Sequence, residues 1–213
     1  MLDMKRSVYV VGGNTDVKSM FGSRGWDFAY NVGDADLVCF TGGADVSPAL
    51  YDHPCHSTTF CSEEQDKQEI AIFEAAMGKD TPMVGICRGG QFLNVMNGGK
   101  MYQDVTGHKT SHYMAVGNFE SPDENIFVTS THHQMMMPSA EGLVLATGPG
   151  CKASYWSDEA EAWAQKDLER GIEVVMYYRA LCFQPHPEMY LITPTYTSMR
   201  NYFFKLISEL MRD

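Results

Sequence analysis

The sequence lacks the features by which proteins recognise nucleic acids or acidic membranes. It carries 16 Lys and Arg residues against 27 Asp and Glu residues, a formal net charge of −11, and its basic residues form no cluster. Binding to a phosphate backbone or to anionic headgroups depends on such clusters. We therefore expect neither a nucleic-acid partner nor a membrane partner.

Further absences narrow the class of protein. No apolar run approaches the length that spans a bilayer, and residues 1–6 are mixed in charge, which predicts no signal peptide. Six cysteines in 213 residues do not make a small disulfide scaffold. Val10-Val11-Gly12-Gly13 is too short for a dinucleotide fingerprint, and Gly98-Gly99-Lys100 lacks the spacing of a phosphate-binding loop. We expect a cytoplasmic protein without a cofactor.

What the sequence does contain is an alternation of strand-like and helix-like segments, with Gly-rich turns after several strands. The predicted strands are residues 7–11, 28–32, 36–40, 82–86, 126–130, 143–146, 173–178 and 181–184, the last two as a candidate hairpin. Helices are predicted at 15–21, after Ser62, after Cys87 and at the C-terminal end, while 107–123 and 148–158 have the character of loops. This pattern predicts one α/β domain over residues 1–213, with a doubly wound, largely parallel, flavodoxin-like sheet and helices on both faces.

The segment around Cys87 has the sequence form of a nucleophile elbow. The short apolar run 82–86 ends in Gly85-Ile86-Cys87-Arg88-Gly89, and a helical pattern begins at once. In such an elbow a strand turns sharply into a helix, with the reactive side chain at the corner and glycines where a Cβ would collide. The helix N-terminus favours a thiolate over a thiol. The alternative is a buried cysteine that serves as a small apolar residue.

A histidine and a glutamate follow another apolar strand, in Gln184-Pro185-His186-Pro187-Glu188. The two prolines hold the backbone extended, and side chains two residues apart on an extended chain point to the same side. Glu188 can therefore orient one nitrogen of His186 while the other nitrogen faces a nucleophile, as in a catalytic triad. The alternative is a surface turn with an incidental histidine and glutamate.

Two glycines directly follow a strand in a third segment, Thr41-Gly42-Gly43-Ala44-Asp45-Val46-Ser47-Pro48. The N–H of Gly43, together with that of Arg88 after the cysteine, would form an oxyanion hole. A Gly-Gly turn by itself is weak support, because most such turns merely end strands.

Together these segments resemble the class I (triad) glutamine amidotransferases, and most closely the branch that contains the gamma-glutamyl-gamma-aminobutyrate hydrolases. The similar segments, in chain order, are 41–48 with Tyr51, 85–95, Gly98-Gly99-Lys100-Met101-Tyr102-Gln103-Asp104-Val105, Ser130-Thr131-His132-His133-Gln134 and 184–188. They cover the chain from about residue 36 to 188. Three departures stand out: Gln65 where the branch has Arg, Thr129 where it has Asn, and the segment 151–170, which aligns with nothing in the branch and has the character of an insertion.

The resemblance implies a cysteine peptidase-like hydrolase with Cys87 as nucleophile, His186 as base and Glu188 as its orienting group. It implies cleavage of the gamma-amide of glutamine or of a gamma-glutamyl amine through a thioester. Gln91, His133 and Gln134 would line the substrate pocket, with a structural role as the alternative. Two other functions stay open: a glutaminase subunit that delivers ammonia to a separate synthetase, and a catalytically silent binding module.

No metal site is expected from the remaining histidines. Donor types found at zinc sites occur close together at His53, Cys55, His56 and Cys61, but their spacing fits no standard zinc motif. His108 and His112 would share a face only on a helix, and Gly107 and the polar residues around them favour a loop.

Overall fold

A computed structural model describes residues 6–117, 122–189 and 194–212. Its strands are β1 Ser7–Val10, β2 Asp27–Phe28, β3 Leu37–Phe40, β4 Met83–Ile86, β5 Lys100–Tyr102, β6 Asp104–Val105, β7 His112–Gly117, β8 Pro122–Val128, β9 Met135–Met137, β10 Leu143–Gly148, β11 Cys151–Ser157, β12 Ala162–Leu168, β13 Gly171–Tyr177 and β14 Ala180–Phe183. Its helices are α1 Thr15–Gly22, α2 Glu63–Met77, α3 Arg88–Met96 and α4 Pro194–Leu210.

Nine of these strands form one sheet in the order β2-β1-β3-β4-β14-β13-β10-β7-β8. The pairs from β2 to β14 are parallel, and the pairs from β14 to β8 are antiparallel, starting with the predicted β13–β14 hairpin. Ile86 of β4 is paired with Phe183 of β14. The segments that follow these two strands therefore leave the sheet side by side at the same edge, which is where parallel α/β folds place their chemistry.

Helices cover both faces of the sheet, because side chains of the parallel strands alternate between two apolar clusters. One cluster packs α1 and α4 against Val8, Cys39 and Val84. The other packs α2 and α3 against Val38 and Met83. The predicted doubly wound α/β fold with helices on both faces is confirmed, and the antiparallel strands extend its sheet on one side.

The close contact between β4 and α3 explains the glycines around Cys87. A Cβ on Gly85 would lie 2.2 Å from the backbone of Gly89, and a Cβ on Gly89 would lie 2.4 Å from the carbonyl oxygen of Phe40. Real Cβ atoms do not approach backbone this closely, so only glycine fits either position. The structure therefore has the close backbone contacts that the sequence predicts at Gly85 and Gly89.

Ser62 begins α2 as predicted, since its side chain accepts a hydrogen bond from the N–H of Gln65. The reciprocal half of a capping box is not formed, because the Gln65 amide donates to Glu69 instead. Ile70 and Phe73 of α2 pack against the sheet, whereas Met77 at the end of the helix is 41% exposed.

Several segment predictions were wrong. The strand predicted at 28–32 is only the two-residue, exposed β2. The segments 107–123 and 148–158, predicted as loops, contain β7, the start of β8, and β11, although 118–121 lie outside the described residues.

The segment 151–170 is a hairpin of β11 and β12 that pairs with β6. No helix in the described ranges is long and apolar enough to cross a membrane.

Candidate active site

Cys87 occupies the corner of a sharp turn between β4 and α3. Its backbone has φ 53° and ψ −114°, and φ values of this sign are uncommon for residues other than glycine. The turn is tied down on both sides: the N–H of Cys87 donates to the carbonyl of Phe183 (2.8 Å), and its carbonyl accepts from the N–H of Gln91 (3.0 Å). The strain of such a residue costs about 1–3 kcal/mol and persists only where the surrounding fold enforces it.

His186 and Glu188 leave β14 beside Cys87 and form a pair. Nδ1 of His186 lies 2.8 Å from Oε1 of Glu188, and both side chains are largely buried. Burial opposes protonation of the ring, but hydrogen bonds to Cys87 and Glu188, and the charges of these two groups, outweigh it and raise the pKa of His186 to about 10. The histidine is thus held between an acid on one side and the cysteine sulfur on the other.

The backbone of His186 is held by Thr129, a residue that the sequence marked only as a departure from the resembling branch. The Thr129 hydroxyl accepts from the N–H of His186 (2.9 Å) and donates to its carbonyl (3.3 Å). Because Thr129 directly follows β8, it joins the antiparallel part of the sheet to the segment that carries the histidine. The sequence alone indicated no role for this residue in the site.

Arg88 contributes its backbone at the wall of the pocket but turns its side chain into the protein. Its Nε donates to the carbonyl of Ala44 (3.0 Å), and its guanidinium forms ion pairs with Asp66 and Glu69. All three charged side chains are at most 4% exposed. Asp66 also accepts from the N–H of Ser47 (3.1 Å). This network fixes the segment around Gly43 against α2 and the start of α3.

A pocket of about 380 Å³ opens above Cys87. Of the residues predicted for the site, those that line it are Gly43, Cys87, Arg88, Gln91, His133, Gln134 and His186. Glu188 stands behind His186 as described. The structure therefore brings together every residue predicted for the site.

The pocket residues predicted for substrate binding make contacts that hold them in place. The amide nitrogen of Gln91 lies 3.2 Å from the carbonyl of Gln134 and 3.0 Å from Oε1 of Gln184, so its nitrogen is used within the protein. His133 faces Asp45, with 3.2 Å between Nε2 and Oδ1. The Gln134 amide donates to the Thr59 hydroxyl (3.0 Å), and its buried oxygen makes no hydrogen bond.

Six residues that line the pocket were not predicted for the site. These are Gly42, Ala44, Asp45, Phe60, Thr131 and His132. Phe60 is 77% exposed and stands in a segment without any periodic pattern. The other five stand inside motifs that were recognised, so the proximity of those motifs to Cys87 was the signal that could have found them.

Solved structures of other proteins share this fold. A candidate GMP synthase subunit from Thermoplasma acidophilum superposes with a TM-score of 0.62 at 15% identity, covering 98% of each chain. A glutamine amidotransferase from Thermotoga maritima superposes with a TM-score of 0.60 at 16% identity, covering 98% of this chain and 84% of that one. At such identities the likeness shows the fold alone, and the class it defines is an α/β protein with the fold of these structures.

Sequence comparison then assigns the family. The peptidase C26 family matches residues 20–188, and the chain belongs to it. A candidate glutamine amidotransferase-like protein of Lactococcus lactis subsp. cremoris, a YvdE homologue, is 35% identical over 126 residues. That alignment spans 51% of this chain and 67% of the relative. The chain thus belongs to the glutamine amidotransferase-like group. These similarities are to the group as a whole and not to one hydrolase branch within it.

Proposed function

We propose that this chain is a cysteine hydrolase of gamma-glutamyl amides, with a triad of Cys87, His186 and Glu188. The observation that carries the proposal is the placement of Cys87 at a strained strand-to-helix turn, in one pocket with a histidine whose Nδ1 contacts a carboxylate. A nucleophile, a base and an orienting group in contact are the geometric signature of nucleophilic catalysis.

In the first half of the reaction, the Cys87 thiolate attacks the side-chain carbonyl carbon of the substrate. The C–S bond forms while the carbonyl electrons move to oxygen, and the N–H groups of Gly43 and Arg88 would stabilise the oxyanion. The C–N bond then breaks, and His186 gives its proton to the leaving ammonia or amine. Its raised pKa supports this role, because the proton is held on the ring at neutral pH.

In the second half, water hydrolyses the gamma-glutamyl thioester. His186, now neutral, takes a proton from the attacking water, the C–S bond breaks, and glutamate leaves. Glu188 keeps Nδ1 occupied, so that Nε2 is the nitrogen that moves the proton. The cycle ends with the thiolate and the protonated histidine restored, and it requires no cofactor.

The substrate class is the gamma-amide of glutamine or of a gamma-glutamyl amine, as expected for the branch that the sequence resembles. We propose Gln91, His133 and Gln134 as pocket residues for the glutamyl group. Their shared position in the wall of the pocket above Cys87 supports this.

A second candidate is a glutaminase subunit that passes ammonia to a separate synthetase. The structural likeness to a candidate GMP synthase subunit supports it, because that protein is one part of a synthase by its name. A silent binding module, the third hypothesis drawn from the sequence, is less well supported, because all three triad positions hold reactive side chains in contact.

The deciding experiment measures release of glutamate and ammonia from glutamine, alongside a panel of gamma-glutamyl amines. Cys87→Ala should abolish turnover, whereas Cys61→Ala, which removes an exposed cysteine, should retain it. Turnover of a gamma-glutamyl amine by the isolated chain would support the hydrolase. Activity only upon addition of a synthetase would support the ammonia-delivering function. A fully active Cys87→Ala variant would refute the triad.

A further inference from the structure

Three histidines that are not part of the triad surround one buried glutamate. Oε1 of Glu173 lies 3.3 Å from Nδ1 of His108, 3.0 Å from Nε2 of His112 and 3.9 Å from Nε2 of His132. The side chain of Glu173 is fully buried, and those of the histidines are at most 9% exposed. We call these four residues the histidine cluster.

The other nitrogen of each histidine faces a backbone carbonyl. His108 Nε2 lies 3.2 Å from the oxygen of Pro149, His112 Nδ1 lies 3.1 Å from that of Thr110, and His132 Nδ1 lies 2.8 Å from that of Gln134. A carbonyl oxygen only accepts, so each of these nitrogens carries a hydrogen. In a neutral ring the nitrogen that faces Glu173 therefore presents a lone pair.

With all three rings neutral, as metal binding requires, three imidazole lone pairs converge on the carboxylate and all four groups are acceptors. Nδ1 of His108, Nε2 of His132 and Oε2 of Glu173 are buried and make no hydrogen bond. A proton on one ring would satisfy one contact, whereas a cation among the four groups would satisfy all of them. Donation of the second ring N–H to a carbonyl is also the usual arrangement of metal-binding histidines.

The backbone around the cluster leaves room for these side chains. Gly148 of β10 and Gly171 of β13 are paired across the sheet. A Cβ on Gly148 would lie 2.7 Å from Oε1 of Glu173 and 2.9 Å from Nε2 of His112, and a Cβ on Gly171 would lie 2.6 Å from Cε1 of His108. Two paired glycines therefore form the floor on which the cluster rests.

We propose that His108, His112 and Glu173 bind a divalent transition-metal ion of the Zn²⁺ class, with His132 as the adjacent fourth donor. One ligand atom from each of the first three residues lies within 4.8 Å of the others. Imidazole nitrogens with one carboxylate suit Zn²⁺ and related ions, whereas Mg²⁺ and Ca²⁺ prefer oxygen donors. This inference revises the expectation of no metal site and is independent of the proposed hydrolase.

We assign this ion a structural role. The cluster adjoins one wall of the pocket and contains no residue of the triad. His132 lines the pocket, and its ring is hydrogen-bonded to the same Gln134 carbonyl that accepts from Gln91. An ion bound by the four residues of the histidine cluster would join the segment 129–134 to β13, to β7 and to the segment before β7. It would fix the pocket wall without contact with the reacting atoms.

The test is zinc stoichiometry in the Cys87→Ala background, which removes the thiolate as a competing zinc ligand. The full chain is loaded with Zn²⁺ alone, freed of excess by gel filtration, and analysed by plasma mass spectrometry. We expect about one zinc per chain and a thermal midpoint several degrees above that of the EDTA-treated protein. Mg²⁺ should not reproduce the shift.

Variants decide whether the zinc lies in the cluster. Adding His112→Ala or Glu173→Gln should abolish both retention and the thermal shift, whereas His56→Ala, a histidine outside the cluster, should preserve both. Circular dichroism checks that each variant is folded, and His112→Asn provides a second, milder change at the least buried position. Absence of retained zinc in the parent, or retention unchanged by both cluster substitutions in folded protein, would overturn the proposal in favour of a proton-bridged cluster.

Discussion

At the scale of single residues, the site depends on groups whose surroundings give them properties that they lack in water. Cys87 has a backbone conformation that an isolated residue would rarely adopt, and hydrogen bonds to Phe183 and Gln91 hold it there. His186 is held between Cys87 and Glu188, which stabilise its protonated form. The hydrogen bonds of this histidine lead to two measurable effects.

The first concerns stability against pH. The pKa of His186 is raised from 6.5 to about 10 in the folded state, so its protonated form stabilises the fold. This contribution is fully present below pH 6.5 and is lost as the pH rises towards 10. Between these limits the thermal midpoint of the wild type should fall more steeply than that of His186→Gln. Scanning fluorimetry across the range measures both slopes, and parallel slopes would contradict the prediction.

The second concerns the hydroxyl of Thr129. Thr129→Val keeps the shape of the side chain but leaves the N–H of His186 without its acceptor, which costs about 1–3 kcal/mol for a buried group. We expect a loss of about tenfold or more in kcat, since about 1.4 kcal/mol corresponds to a factor of ten. KM should change little, because Thr129 is not a pocket residue. Thr129→Ser is the matched control and should retain activity; equal loss in both variants would rule out the hydroxyl as the cause.

At the scale of elements, a buried ion-pair network joins α2, α3 and the segment after β3. Arg88 at the start of α3 contacts Asp66 and Glu69 on α2, and also the carbonyl of Ala44. The segment that contains Gly43 therefore has a fixed position relative to Cys87. This network sets the distance between the two sides of the proposed oxyanion hole.

Removal of one charge from this network should be costly. Asp66→Asn leaves the buried guanidinium with one carboxylate instead of two, and breaking a buried pair costs about 3–5 kcal/mol. We expect a loss near the lower end of that range in the free energy of unfolding, measured by urea denaturation. Glu63→Gln makes the same chemical change at an exposed ion pair on α2 and should cost less than about 1 kcal/mol. Similar losses in both variants would show that burial is not the cause.

At the scale of the whole molecule, the parallel part of the fold and the site were predictable, and much of the antiparallel part was not. The strands β1, β3, β4 and β14 are apolar and end in glycine- or proline-containing turns, which are local signals. In contrast, β7 buries only one of its residues and β12 buries none, so neither has the apolar run that marks the strands of the parallel part, and each is held in a hairpin by its neighbour, β8 or β11. The histidine cluster was missed because its members lie far apart in the sequence: Glu173 comes from β13, and no short motif connects it to His108.

A single cooperative domain over residues 1–213 stays a prediction that unfolding can test. Trp26 packs on Phe21 of α1, whereas Trp156 and Trp163 contact each other in the β11–β12 hairpin. In urea, the fluorescence of Trp26→Phe follows the unfolding of the β11–β12 hairpin. The fluorescence of the double variant Trp156→Phe/Trp163→Phe follows the unfolding of the region around Trp26 and α1. Each fluorescence transition should coincide with the far-ultraviolet dichroism of the same variant. Separate midpoints would indicate two units.

The two outer strands of the nine-stranded sheet have a consequence for behaviour at high concentration. An open sheet edge is a template on which another chain can add a strand, and such addition leads to aggregates. Here one outer strand, β2, has only two residues, and the other, β8, carries Asp123 and Glu124 near its start. The first offers too little backbone for an intruding strand, and the second repels another copy of this acidic chain. The fold thus resists polymerisation at both ends of its sheet.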